Sequence, residues 1–382
     1  MVLSGNVAFE AHYAKIYGER WEALSKALRR TAPIVAVIPP FYCHIPDLME
    51  HEQRPAKEVT AVDLEGTAYY RKSDLPFCYH QAIFDASSDS DINLDDIELY
   101  DKKAILNANN LVAVVANSIY YMDLGLCYAC HALGASPGDR VLDMFAHNGA
   151  HSLVFASLMF PCGNTMSGIT CEGKSTLEVV ALINRAREEM VGKGDKSLLV
   201  CAEARRGLYD TCVDNLKKYI PEKLLSSMSI QTLCYDAQNH KLKRFGTFDK
   251  IFVRVPTSTD GGSTSQWSQR LVKTNSAKAL AALNTAISLL KPGGTIIYVT
   301  QSLDPMENEL VIHTVLQSAS QICHADIDLT KDLEKLRQKI SWSSESSTLL
   351  PSAEKRRYGC ALMPDKTDCG PWYICKLVSN KN

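Results

Sequence analysis

The chain has 382 residues, of which 46% are hydrophobic and 22% charged. This composition is typical of a globular protein and excludes a disordered chain, which would be poorer in apolar residues. No run approaches the roughly 18 apolar residues of a transmembrane helix, so no membrane span is predicted. The formal net charge of −2 is less positive than that of a protein that binds nucleic acid through phosphate contacts alone. Any basic surface must therefore be local.

Cysteine usage and the first residues bear on the compartment. The 13 cysteines are odd in number and scattered, which indicates free, mostly buried thiols in a reducing environment. The first residues contain neither an apolar h-region nor an Arg-rich amphipathic stretch, so no targeting peptide is visible.

Residues 1–104 are assigned to an N-terminal extension. Apolar and aromatic residues recur at steps of three and four over residues 6–30, which predicts one amphipathic helix. Val59–Val62 has the composition of a strand. The loop 83–103 is crowded with acidic residues, and two interpretations remain open for it: a solvated surface or an acidic patch that faces a partner.

From about residue 105 onward, predicted helices and strands alternate. Such alternation favours parallel pairing and a three-layer sandwich. The last stretch, 370–377, is predicted to be an edge strand, and residues 341–357 a loop. Helices are predicted at Leu111–Asp123, Leu124–Leu133, 206–218 and 276–290, and strands at 141–143, Leu198–Ala202, Ser229–Tyr235, Ile251–Val255 and Thr295–Thr300.

Cys127, Cys130 and His131 have the Cys-x-x-Cys-His spacing of covalent haem attachment. They also fall inside a predicted helix, where buried thiols are common. The sequence contains no second Cys-x-x-Cys that would complete a zinc set. We therefore favour core thiols over haem or zinc, and we predict no metal site.

Polar residues follow several predicted strands, where ligands bind in open α/β sheets. The loop after residues 141–143 has the position of a nucleotide-binding loop but contains one glycine, Gly149, so its signal is weak. Glu203 follows the next strand and is either an acceptor for ribose hydroxyls or a surface carboxylate. Asp236 follows a third strand and either binds an adenine amine or caps the next segment.

The order of these segments gives a resemblance. Pro137–Asp143, Lys291–Gly294 with Tyr298, and the stretch Thr300–Glu309 follow one another as in the Sun-domain (NSUN) RNA cytosine-5 methyltransferases. The chain resembles this family over residues 105–380. Further motifs make it look most like the mitochondrial ribosomal RNA branch, which works with an mTERF-family partner; they are Phe9, Tyr13, Gly18–Trp21, Val255–Asp260 and Gly370–Tyr373.

The resemblance implies an α/β, Rossmann-like class I methyltransferase fold: a three-layer sandwich with a mostly parallel sheet and an N-terminal helical extension. The methyltransferase-like domain would span 105–382, with an insertion near 162–195. In the family a cysteine attacks C6 of cytosine, a second cysteine helps to release the product, and an aspartate handles the ring. Here the corresponding positions are Gln301, Thr257 and Arg254, so the catalytic cysteines are missing.

The cofactor loop departs from the family as well. The family's second glycine is Ala150 here and its lysine is His151, which adds a Cβ near the ligand and removes a fixed charge. We expect binding of S-adenosylmethionine to be weak or absent, and no cofactor. The degenerate cofactor positions are Asp143, His147, Asn148, Gly149, His151, Glu203 and Asp236.

These departures predict a catalytically inactive, methyltransferase-like assembly factor of the mitochondrial ribosome, with the large subunit favoured. By resemblance it lies in the mitochondrial matrix and binds ribosomal RNA, an mTERF-family protein and an assembly intermediate, but no membrane. Two alternatives remain: an active S-adenosylmethionine-dependent RNA methyltransferase with non-standard catalytic residues, and a protein–protein adaptor without RNA contact. The candidate RNA-binding residues are Arg205, Arg206, Lys241, Lys243, Arg244, Arg254, Lys355, Arg356 and Arg357.

Overall fold

A computed structural model describes residues 7–30, 34–37, 68–72, 78–83, 120–160, 196–236, 240–259, 267–325, 353–367 and 369–380, with the single residues 32, 39 and 327. The predictions for Val59–Val62, for the acidic loop beyond Ile83 and for the insertion near 162–195 lie outside the described residues. Within the described ranges, no helix is long and apolar enough to cross a membrane.

The N-terminal segment contains two helices, α1 (Val7–Tyr17) and α2 (Arg20–Ala27). The prediction of one continuous helix is wrong because Gly18 adopts a φ of +57°. This left-handed conformation ends a right-handed helix and costs glycine little.

A four-stranded antiparallel sheet follows, in the order β2-β3-β1-β4. Its strands are β1 (Ile34–Val37), β2 (Ala68–Lys72), β3 (Cys78–Ile83) and β4 (Tyr120–Asp123). Residues 120–123 were predicted to end a helix, and that part of the prediction is wrong because they pair with β1. Helix α3 (Leu124–Ala132) follows at once. The Asp123 side chain caps it by accepting from the Leu126 amide at 3.0 Å.

The larger sheet has nine strands among the described residues. Its parallel centre consists of β5 (Arg140–Asp143), β6 (Leu198–Ala202), β7 (Ile230–Leu233), β8 (Phe248–Arg254) and β9 (Leu290–Thr300). Shorter strands complete it: β10 (Ile322–Ala325), β11 (Glu354–Lys355), β12 (Cys360–Leu362) and β13 (Trp372–Ser379). The helices are α4 (Ala150–Met159), α5 (Arg206–Tyr219), α6 (Glu222–Ser226), α7 (Gln269–Leu289) and α8 (Glu309–Ser318), with a 3₁₀ segment at His240–Phe245.

The strand order is β11-β12-β13-β9-β8-β5-β6-β7, and β10 also pairs with β13. β5 to β9 pair in parallel with one another, whereas β13 is antiparallel to β9. The prediction that 370–377 forms an edge strand is wrong, because β13 lies inside the sheet. Glu354–Lys355 is a short strand rather than loop.

Side chains of the parallel strands alternate between two apolar layers, as the period of a strand requires. Val141, Leu199 and Phe252 pack against α3, α4 and α5. Their neighbours Leu142 and Val200 pack on the opposite face, against α7 and α8. The three-layer α/β sandwich is therefore confirmed.

Two boundaries differ from the predictions. Helix α7 begins at Gln269, where the Ser268 side chain accepts from the Leu271 amide and caps it. Strand β9 begins at Leu290 rather than Thr295, with a register shift opposite Phe248 and Lys250.

Helices α1 and α2 dock on the larger domain through a separate aromatic cluster. Phe9, Tyr13 and Trp21 pack against Trp267 and Leu303. Tyr13 stacks on Trp21 with ring centroids 5.6 Å apart, and the Tyr17 hydroxyl donates to the Leu303 carbonyl at 2.8 Å. The N-terminal helices therefore fix the loop that follows β9.

Candidate functional site

The carboxyl ends of β5, β6, β8 and β9 meet at one edge of the sheet, where the connecting loops converge. A cleft of about 310 Å³ opens there, between β4, the start of α3 and the loop after β5. Of the predicted site residues, the cleft is lined by His147, Asn148, His151 and Arg254. Asp236, by contrast, is exposed beyond β7 and does not line it.

Gly149 ends the loop after β5 and caps α4 with a φ of +89°. A Cβ at this position would lie 3.2 Å from the Cys212 Sγ atom. Both the left-handed backbone and the tight contact require glycine. The local structure therefore explains why residue 149 is a glycine.

Glu203 lies at the end of β6 and is 4% exposed. One carboxylate oxygen accepts from the His147 amide at 3.1 Å. The other accepts from the Arg205 amide at 2.9 Å and from its Nε at 3.1 Å. The interpretation of Glu203 as a surface carboxylate is wrong, because the group is buried and both oxygens serve the protein's own loops.

His147 adopts a φ of +51° and projects from the same loop. Its Nδ1 accepts from an Arg205 guanidinium N–H at 3.1 Å, and its Nε2 is buried without a hydrogen-bond partner in the described part of the chain. Burial lowers the pKa of His147 to about 2, and the charges of Arg254, His151 and Arg205 add to this effect. The imidazole is therefore neutral at physiological pH.

Asp143, at the end of β5, is fully buried. It accepts from the Ser152 hydroxyl at 2.8 Å, and His151 Nδ1 lies 3.5 Å from the same oxygen. His151 is 1% exposed and packs on the Phe252 ring. The acid below the loop is thus enclosed by α4.

Arg254, Thr257 and Gln301, which the resemblance assigns to catalytic positions, lie at the ends of β8 and β9 or in the loops that follow them. An Arg254 guanidinium N–H donates to the Gln301 side-chain oxygen at 3.1 Å. The guanidinium also lies over the Trp372 ring, 5.4 Å from its centroid. Thr257 is buried, 6% exposed. Two catalytic positions of the resemblance are therefore occupied by a hydrogen-bonded pair that has no nucleophile.

The loops that carry these positions are held by a buried polar network centred on Glu307, which is 1% exposed. The Glu307 carboxylate accepts from the Ser258 amide and hydroxyl, at 2.9 and 2.6 Å, and from the Ser302 hydroxyl. The Asn308 amide donates to the Ser302 carbonyl at 2.8 Å. Burial raises the pKa of Glu307. This network connects the loop after β8 to the loop after β9.

Three thiols lie within electrostatic reach of Asp143: Cys130, Cys201 and Cys212. Each is at most 1% exposed. Burial raises the pKa of all three, to about 12 for Cys212. None of them lines the cleft, so none of the three is placed to act as a nucleophile there.

Apart from Arg205 and Arg254, which are bonded within the site described above, the candidate RNA-binding residues fall into two groups on opposite edges of the sheet. At the β6–β7 edge, Arg206 lies over Tyr209, and Lys241 and Arg244 lie over Tyr235 at 5.6 Å. Lys243 is exposed beside them. At the β11 edge, Lys355 and Arg357 are exposed, whereas Arg356 pairs with Glu354 at 3.1 Å.

Comparison with known proteins extends this picture. A family model described as 16S rRNA methyltransferase RsmB/F matches residues 214–378. The 5-cytosine rRNA methyltransferase nsun-4 of Caenorhabditis elegans is 27% identical over 341 residues, which cover 87% of this chain and 62% of that protein. NSUN4 of Bos taurus is 22% identical over 267 residues, 68% of this chain and 59% of that protein. The chain is similar to the NSUN RNA cytosine-5 methyltransferases over most of its length.

Solved structures agree on the fold. A methyltransferase homologue from Pyrococcus horikoshii superposes with a TM-score of 0.58 at 17% identity, covering 99% of this chain and 96% of that one. NSun6 from the same organism gives 0.56 at 14% identity and covers all of both chains. The NSUN-like resemblance and the Rossmann-like methyltransferase fold are confirmed. The chain spans about six-tenths of the length of the curated relatives it matches.

Several contacts of this NSUN-like site had no signal in the sequence. The stacking of Arg254 on Trp372 joins residues from β8 and β13. The hydrogen bond from the His147 amide to Glu203 depends on a positive φ at His147, which few non-glycine residues adopt. The Glu307 network could have been suspected, because Glu307 and Asn308 belong to the most family-specific stretch of the sequence.

Proposed function

We propose that this RNA-methyltransferase-like chain is a catalytically inactive assembly factor of the mitochondrial ribosome, acting in the matrix. It would bind ribosomal RNA in an assembly intermediate, with an mTERF-like protein as partner and the large subunit as the favoured site. One observation carries the proposal. The buried Glu307 network still holds the catalytic loops, while Gln301 at their centre is bonded to Arg254. An amide has no usable nucleophilicity at neutral pH.

The cofactor side of the cleft supports the same conclusion. A carboxylate that binds ribose must offer lone pairs to the hydroxyls, but both Glu203 oxygens accept from His147 and Arg205. Ala150 adds a side chain where the family has glycine. Both features disfavour binding of S-adenosylmethionine, and no step of the proposal passes through it.

The relatives and the basic residues support the RNA and the compartment. The relatives from Caenorhabditis elegans and Bos taurus are named as rRNA methyltransferases, and one from Mus musculus as a mitochondrial tRNA methyltransferase. Lys241 and Arg244 flank the Tyr235 ring. A ring among cations can stack on a base while the cations contact phosphates. This edge offers an RNA surface that needs no chemistry in the cleft.

Sedimentation of tagged protein from mitochondrial lysate, followed by identification of the bound RNA and proteins, tests the assembly role. We expect co-migration with an incomplete ribosomal subunit, an mTERF-like protein and ribosomal RNA crosslinked to the chain. Migration as a free monomer without RNA would contradict the proposal. Retention of the partner protein without any RNA crosslink would favour an adaptor instead.

Calorimetry with millimolar S-adenosylmethionine tests inactivity separately. We expect no heat of binding and no transfer of labelled methyl groups to mitochondrial ribosomal RNA. Saturable binding with methyl transfer would establish the alternative, an active methyltransferase with non-standard catalytic residues. Either result stands whatever the sedimentation shows.

A further inference from the structure

A buried cluster of metal-ligating side chains lies between the antiparallel sheet and α3. Cys78 comes from β3, whereas Cys127 and His131 come from α3. One ligand atom from each of the three lies within 4.8 Å of the others, and all three residues are buried. The Cys78 and Cys127 Sγ atoms are 3.6 Å apart.

The sulfur–sulfur distance is close to that of a tetrahedral zinc site, and the imidazole ligand atom lies within 4.8 Å of both sulfurs. With Zn–S bonds of about 2.3 Å, two sulfur ligands lie roughly 3.8 Å apart, and a sulfur and an imidazole nitrogen roughly 3.6 Å apart. A disulfide would bring the sulfurs to about 2.05 Å, so the pair is a dithiol.

The helix and its backbone prepare the imidazole for a metal. Residues four apart share one face of an α-helix, which directs Cys127 and His131 to the same point. His131 Nδ1 lies 2.8 Å from the Cys127 carbonyl oxygen. Because a carbonyl only accepts, Nδ1 carries the proton, and this tautomer places the ring's lone pair on Nε2. Metal-bound histidines commonly donate their other N–H to a carbonyl in this way.

We propose that Cys78, Cys127 and His131 form a zinc site that fastens the antiparallel sheet to α3. Zinc displaces one proton from each thiol, and two thiolates neutralise the charge of Zn²⁺. A neutral site suits a pocket in the apolar core, where an uncompensated charge would be costly. The fourth position is left to water or a further donor, as in other Cys₂His zinc sites. The expectation of no metal considered Cys127, Cys130 and His131 together and missed Cys78, which is 49 residues from Cys127.

Metal analysis of the full-length chain tests this inference. After purification and desalting we expect about one zinc per chain, retained in Cys375→Ser, which alters a buried thiol of β13, and lost in Cys78→Ser and His131→Gln. Wild-type protein without zinc would overturn the inference if adding Zn²⁺ also releases no protons into weak buffer, where about two per chain are expected.

Two measurements that leave the three proposed ligands unchanged keep the inference falsifiable if a ligand variant fails to fold. Cobalt exchanged for zinc should give a thiolate-to-cobalt charge-transfer band in the near ultraviolet, and absence of the band would contradict thiolate ligation. A chelator should lower the Tm of the wild type and of Cys375→Ser alike, because metal binding is linked to folding. A Tm unaffected by the chelator would contradict the fastening role.

Discussion

Arg254 combines three interactions in the wall of the cleft. It stacks on Trp372, donates to Gln301 and contributes a positive charge beside His147. A cation at this position favours an anionic or aromatic group and disfavours protonation of the neighbouring imidazole. Arg254 therefore forms part of a fixed polar wall of the cleft.

Gly149→Ala should destabilise the protein by about 2 kcal/mol, because a φ of +89° strains any L-residue and the new Cβ would meet Cys212. Gly207→Ala is the matched control. Gly207 lies in α5 with open space at its Cβ position, so alanine should stabilise by about 0.5 kcal/mol. Urea unfolding measures both, and equal effects would contradict the assignment of strain to Gly149.

His147 predicts a pH dependence. Its pKa is lowered to about 2 in the folded state, whereas an unfolded histidine titrates near 6.5. As the pH falls below about 6.5, the unfolded chain therefore takes up a proton that the folded chain refuses, and stability declines by up to about 1.4 kcal/mol per pH unit.

His147→Asn should flatten this decline, because asparagine does not titrate and tolerates a positive φ. Urea unfolding between pH 7 and pH 4 measures the slope, and the two curves should run parallel above pH 7, where the histidine is neutral in both states. Parallel curves down to pH 4 would show that His147 is not the group responsible.

At the scale of elements, α1 and α2 brace the loop that follows β9. His12 Nε2 lies 2.7 Å from Asp304, and Arg20 pairs with Glu354 and Asp365. Burial raises the pKa of Glu354 and of Asp365, but the hydrogen bonds and charge of Arg20 outweigh it, so the pKa of each of these two carboxyl groups is lowered. The helices thus connect the loop after β9 with the β11 edge.

Trp21→Ala should cost about 3 kcal/mol, since Trp21 is 7% exposed and packs on Phe9 and Tyr13. Ile16→Ala on the same helical pair removes a side chain that is 38% exposed and should cost less than about 1 kcal/mol. Chemical denaturation compares the two. A similar small loss for both would mean that the helices do not dock firmly.

The sequence predicted these elements better than their boundaries and neighbours. The apolar period correctly identified helical residues in α1 and α2, but it contains no information on the φ of Gly18. β13 was placed at an edge because it comes last among the predicted strands. Its side chains Trp372, Tyr373 and Ile374 are apolar on both faces, however, which is the pattern of an interior strand. At the site, the sequence showed which residues occupy the catalytic and cofactor positions of the resemblance. It did not show the hydrogen bonds formed by Arg254 and Glu203, because these depend on tertiary contacts.

For the molecule as a whole, a net charge of −2 coexists with a basic, aromatic edge at β6 and β7. Replacing Lys241 and Arg244 together by Gln should weaken binding to a ribosomal RNA fragment. It should also lower the slope of log K against log salt by about 1 to 2, as expected for the loss of two phosphate contacts. Fluorescence anisotropy over a KCl series measures this. Lys278→Gln, at an exposed position of α7, is the control. An equal effect of this substitution would contradict a local RNA surface.

The docking of the first helices on late segments also imposes an order on folding during synthesis. Phe9, Tyr13 and Trp21 find their partners at Trp267, Leu303 and Met363, so most of the chain is translated before this aromatic surface is covered. Until then an apolar surface is exposed on the nascent polypeptide. Because long-range contacts form slowly, aggregation competes with folding during this time. The chain should therefore depend on a chaperone during translation more strongly than the free energy of unfolding of the folded protein would indicate.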